Sequence, residues 1–109
     1  MKKEEQILKD LGGLPPKIYH ELILAAVDQA EKKLPELNEK IKKKDAESIR
    51  CIAHYIKGSA ANLRLIPLKK IIESIEETSK KEEAYTTKIQ AQIAKLKKEL
   101  IRLKKETPN

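Results

Sequence analysis

Tryptophan and phenylalanine are absent from this 109-residue chain, tyrosine and glycine occur three times each, and cysteine occurs once. Without large aromatics, a core has to be assembled from Leu, Ile, Val and Ala, and a hydrophobic fraction of 39% is enough for one modest domain. A single cysteine, Cys51, excludes an intrachain disulfide and a cysteine metal cluster. No apolar run approaches the roughly 20 residues of a membrane span. The opening Met1-Lys2-Lys3-Glu4-Glu5 also lacks the apolar segment of a signal peptide. These absences lead us to expect a soluble, cytoplasmic protein with no membrane partner. A chain so rich in Lys, Glu, Ile, Leu and Ala, and so poor in glycine, favours helices.

Charge is abundant: 24 Lys plus Arg stand against 17 Asp plus Glu, a net of +7. The signs are interspersed, as in Glu36–Lys44 and Glu73–Glu83, which is the pattern of solvated helix surfaces. A basic protein attracts nucleic acid or an acidic protein surface equally well, so charge alone selects no partner.

Proline and glycine divide the chain. A short helix from about Lys3 to Leu11 should stop at Gly12-Gly13, and Pro15-Pro16 should open the next one. In that helix Tyr19, Leu22, Ile23, Ala26, Val27 and Ala30 recur at spacings of three and four. Leu34-Pro35 is expected to interrupt or kink it, leaving a further segment to about Lys44 with Leu37 and Ile41 inward. Asp45 has the chemistry of an N-cap for a helix from Ala46 to Leu65 or Ile66. Pro67 restarts a helix carrying Leu68, Ile71, Ile72 and Ile75, and the apolar-free stretch Thr78–Glu83 reads as a turn. A final helix from about Glu83 to Lys105 places Ile89, Ile93, Leu96, Leu100 and Leu103 at bundle spacing. The expectation is one all-α domain spanning residues 1–109, frayed at about 1–3 and 105–109, with four main helices and two shorter pieces.

The Ala46–Leu65 segment is the most informative. At about 100° per residue, Ile49, Ile52, Ala53, Ile56, Ala60 and Leu63 gather into one core stripe. His54 lies about 150° from the centre of that stripe and therefore points outward. Cys51, Gly58, Ala61 and Leu65 stand at i−3, i+4, i+7 and i+11 from it, a strip of small or weakly apolar residues where Lys and Glu would be ordinary. Mid-helix glycine costs about 1 kcal/mol against alanine, so Gly58 calls for a reason. One reason is close helix packing. The phase of Gly58, opposite the core stripe, favours another: a clear approach to the imidazole for a docking protein. Lys57 at i+3 can place an ammonium beside it, where a phosphoryl group on the ring would need a fixed cation.

Ala53-His54-Tyr55-Ile56-Lys57-Gly58-Ser59-Ala60-Ala61-Asn62-Leu63 resembles the signature of histidine phosphotransfer (HPt) domains, approximately A-H-x-[LI]-K-G-[ST]-x-x-N-[LI]. The layout around it is similar to that family over nearly the whole chain, from Ile7–Leu11 and Leu14–Lys33 to Asp45 and Leu68–Glu77. The resemblance implies an antiparallel four-helix bundle with an additional N-terminal helix. It further implies a phosphocarrier without turnover of its own, His54 being phosphorylated, Lys57 its electrostatic partner and Gly58 its access. Ser59 and Asn62 match the motif, and with Cys51, Ala61, Leu65 and Arg64 they are the candidate docking residues. The implied partners are response-regulator receiver domains and a sensor or hybrid histidine kinase. Magnesium would sit on the receiver, with no cofactor or metal on this chain. Where the family commonly has Gly after Asn-Leu, this chain has Arg64, with Pro67 as the expected helix stop.

A nucleic-acid-binding bundle would use Lys42-Lys43-Lys44 and the basic last helix, but the chain has no DNA-binding motif and few stacking aromatics. A structural coiled coil has barely two heptads to stand on. A hydrolase or metal enzyme lacks a second clustered base, since His20 is the only other histidine. The sequence is thus read as a stand-alone, monomeric relay protein that binds no nucleic acid.

Overall fold

A computed structural model of the chain describes residues 2–81 and 88–108. Five helices account for nearly all of them: α1 (Lys2–Asp10), α2 (Pro16–Lys42), α3 (Ala46–Asn62), α4 (Ile66–Ser79) and α5 (Lys88–Glu106). Among the described residues there is no strand. Helix α2 packs on α3, α3 on α4, α4 on α5, and α5 back on α2, closing a four-helix ring. Helix α1 is appended to it: Leu8 joins the core, and Glu4 Oε1 lies 2.6 Å from His20 Nε2 on α2. The particle measures 44 × 22 × 18 Å, and α2, about 40 Å long at 1.5 Å per residue, runs most of its length.

The core is aliphatic, as the composition demands. Ile49, Ile72, Ile75, Ile89, Leu96 and Leu100 are among its fully buried members, and among the described residues Tyr19 is its only aromatic. The Tyr19 hydroxyl escapes isolation by donating to the Leu63 carbonyl at 2.6 Å. Burial, with Glu4 nearby, raises its pKa and keeps it a donor.

Helix ends follow backbone chemistry that the sequence only partly advertises. Gly12, at φ +83°, lets α1 end in a paired turn in which Gly13 donates to Leu8 and Gly12 to Lys9. The same motif ends α2 and α3 with non-glycine residues in the left-handed position, Lys44 at φ 55° and Arg64 at φ 60°. After α2, Asp45 N–H donates to Lys40 and Lys44 N–H to Ile41. Asp45 then caps α3, its carboxylate accepting from the Ser48 amide at 3.1 Å and hydroxyl at 2.7 Å.

Four expectations change. Pro35 does not interrupt α2, which continues to Lys42. The imino nitrogen omits one ladder bond, but Leu37 and Ile41 beyond it are buried like Val27 and Ala30 before it, so core packing holds the helix together on both sides of the proline. Leu22, expected inward, is exposed on the flank of α2. Helix α3 stops at Asn62, not Leu65. Helix α4 runs through Thr78 and Ser79, both buried, so the expected turn cannot begin there. Ser79 tolerates burial because its hydroxyl donates to the Glu76 carbonyl at 2.6 Å. The chain does turn at Lys80 and Lys81, where Lys81 N–H donates to the Thr78 carbonyl at 3.0 Å; Glu82 and Glu83, with the expected start of the last helix, lie outside the described residues.

Candidate functional site

The site is the outward face of α3. Ile49, Ile52, Ala53, Ile56 and Ala60 are buried on the opposite side, which fixes the helix's rotation about its axis. The Asp45 cap holds its start. At its end, Leu65 donates to the Ala60 carbonyl at 2.8 Å and Arg64 to Ala61 at 3.2 Å, while Tyr19 of α2 grips Leu63. A side chain on such a helix has little freedom beyond its own rotamers.

His54 is exposed, flanked by exposed Cys51 and Gly58, with Ala61 half-buried at the end of the strip. A methyl group built on Gly58 meets no atom within 4 Å. The glycine is therefore not required by any neighbouring helix, and the packing explanation for it falls. Cys51 is a free thiol on this face. Tyr55, 51% exposed, lies beside His54 with Lys33 Nζ of α2 5.2 Å from its ring centre. Ser59 is half-buried and Asn62 exposed.

Two expected site residues are placed differently. Leu65 lies beyond the end of α3 and is buried in the core, where it closes the helix-ending turn against Ala60; it takes no part in the exposed strip. Lys57 reaches across to α4, its ammonium 2.9 Å from Glu76 Oε1, with the two side chains 27% and 18% exposed. Glu76 in turn borders a shallow hollow with Arg50, Cys51 and His54. It was invisible as a site residue in the sequence, because a single-helix wheel cannot show what a neighbouring helix brings alongside.

Arg64 receives a physical account. Its backbone occupies the left-handed region at φ 60°, which the glycine common here in the resembling family enters without cost. The guanidinium folds back so that Nη1 donates to the Ala61 and Asn62 carbonyls at 3.0 and 3.3 Å, satisfying the helix's terminal acceptors. Among the described residues, no three His, Cys, Asp or Glu side chains converge as a metal site.

The sequence matches the family model of the Hpt domain over residues 21–106. The chain belongs to the Hpt domain family. Membership makes it a protein of phosphotransfer in two-component signalling, from a family of phosphocarriers rather than catalysts. Such domains interact with response-regulator receivers and kinases. The matched span takes in α3, α4, α5 and most of α2, and thus nearly all of the four-helix ring, but not α1. No curated protein and no solved structure matches the chain. As for membranes, no helix among the described residues is long and apolar enough to cross one.

Proposed function

We propose that His54 of this Hpt domain accepts a phosphoryl group from the phosphorylated aspartate of a response-regulator receiver and passes it to a second receiver. The observation that supports this most is an exposed imidazole on a fixed helix, next to a glycine whose missing side chain no packing explains. A lone pair of the ring attacks phosphorus, an N–P bond forms as the aspartyl O–P bond breaks, and the carboxylate leaves on the receiver. The reverse order loads the next receiver.

Such a transfer asks the carrier for position and charge. Position comes from the buried stripe of α3, and open approach from Gly58. Positive charge comes from Lys57, one turn along and within reach of both Glu76 and a phosphoryl group on His54. Glu76 holds the ammonium near the site while the imidazole is bare. Tyr55, Cys51, Ala61 and Asn62 form the rim a receiver meets, and Arg64 marks its end. Magnesium belongs to the receiver's acidic site in this scheme, and the carrier acts as a cytoplasmic monomer with no cofactor of its own.

The test is phosphoryl transfer from a panel of phosphorylated receivers to the native chain and to His54→Gln, which should stay folded. Acid-labile label that disappears with His54 is the expected result. Label retained on His54→Gln, in a variant with a native helical spectrum, refutes the assignment.

A further inference from the structure

Across the bundle from α3, the outer face of α5 has no role in phosphotransfer, yet it carries most of the chain's charge surplus. This helix holds seven basic residues against two acidic ones, out of a net of +7 for the whole chain. Glu99 and Glu106 are both engaged by Arg102, a triad that offsets only one of the six lysines. Ile101 is 58% exposed, the most exposed large hydrophobic among the described residues. Its four nearest neighbours on the helix surface, at i−4, i−3, i+3 and i+4, are Lys97, Lys98, Lys104 and Lys105. All four are exposed, and only Lys104 has a carboxylate partner among the described residues, Glu31 at 3.2 Å.

We propose that this face docks peripherally on an anionic lipid surface, with Ile101 entering the headgroup region and the surrounding ammonium groups meeting the headgroup phosphates. The combination selects this occupant. Lysines alone suit any polyanion, but an isoleucine at their centre gains nothing from a phosphodiester backbone and does gain from an interface with an acyl boundary. The unpaired cations are lysines, point charges suited to mobile headgroups, while the one arginine on this face with bidentate geometry is committed to Glu99. Because the apolar side of α5 stays in the core, the helix adsorbs and does not insert. This departs from the expectation that the protein has no membrane contact. It is independent of the His54 assignment, since α5 packs on α2 and α4 and leaves the α3 face free for a receiver.

The experiment is co-sedimentation of the full chain with phosphatidylglycerol-rich vesicles and with pure phosphatidylcholine vesicles, at low salt and at about 0.5 M salt. Binding is expected only to the anionic vesicles at low salt. Each lysine near such a surface contributes about fivefold, so Lys97→Gln/Lys98→Gln/Lys105→Gln should weaken binding roughly 100-fold. Ile101→Ser should weaken it about fivefold at unchanged salt dependence. All these positions are exposed, so the fold is expected to survive. No pelleting with anionic vesicles, equal pelleting of the triple variant, or capture by duplex DNA in preference to vesicles at the same salt overturns the proposal.

Discussion

The contact between Lys57 and Glu76 makes two separable predictions, one for stability and one for transfer. At 2.9 Å and an effective dielectric of about 20, the gross attraction is roughly 6 kcal/mol. Most of that is offset by the cost of removing both groups from water and ordering two long side chains. Exposures of 27% and 18% place the pair between the exposed and buried limits, so a net coupling of about 1–2 kcal/mol is expected. Lys57→Ala should be more damaging than that, about 2–3 kcal/mol, because it strands a largely buried carboxylate. Glu76→Gln keeps the shape and removes that charge, so combining it with Lys57→Ala should recover part of the loss. Urea titration of the four proteins in the double-mutant cycle measures the coupling. A coupling within about 0.3 kcal/mol of zero would refute the reasoning and reduce the pair to a surface contact. In transfer assays Lys57→Ala should lose about tenfold or more in rate with docking little changed, while Glu76→Gln retains the cation and should lose far less. A weakening of docking that exceeds the loss of rate in Lys57→Ala would mean that Lys57 serves only as a contact.

Arg64→Gly should raise Tm by about 3 °C, since relief of a left-handed backbone is worth roughly 1 kcal/mol and the two solvent-exposed carbonyl bonds return less. A lowered Tm would show that the guanidinium cap outweighs the strain. Gly58→Ala should stabilise the bundle by about 0.5–1 kcal/mol, because its methyl group meets nothing within 4 Å, whereas Gly58→Gln should preserve the melt and slow phosphoryl transfer. Unchanged transfer in Gly58→Gln would remove the access argument. The bonds from Ser48 hold the Asp45 carboxyl below its ordinary pKa. A depressed carboxylate stabilises the fold above its unfolded pKa and loses that contribution as pH falls through the folded value, so acid unfolding of Asp45→Asn should be shallower than that of the native chain below about pH 4. Identical acid limbs would show that the cap's charge is irrelevant.

Much of the fold was legible because its determinants are local. The three-and-four spacing in Ile89–Leu103, the proline pair before α2 and the Asp45 cap each act within a turn or two of their own position. The misreadings share a different origin. Leu65 looked like a continuation of the α3 strip because an arginine gives no warning that the backbone will turn left-handed at residue 64. Thr78 and Ser79 looked like solvent-facing turn residues, yet hydroxyls that bond the preceding helical carbonyls can be buried. Pro35 reads locally as a break or a kink, and it is the break that Leu37 and Ile41 exclude by keeping contact with the core from beyond it. At the site, the outward phase of His54 and the anomaly of Gly58 could be read from one helix wheel. The pairing of Lys57 with Glu76 could not, because it is made between helices and depends on how α3 and α4 are rotated against each other.

In the proposed relay the acceptor ring of His54 stands on the exterior of a helix, beside a shallow hollow and, among the described residues, exposed with no lid over it. Such a carrier has no means of inspecting its visitor at the chemical step, since any receiver that brings its phosphoaspartate to the ring meets the same imidazole. Choice of partner then falls to the rim, where Tyr55, with Lys33 over its ring, and Arg64 take no part in the exchange of bonds. Wiring and chemistry are thereby kept on different residues. A lineage can redirect the signal by exchanging rim side chains while His54 continues to do the same work.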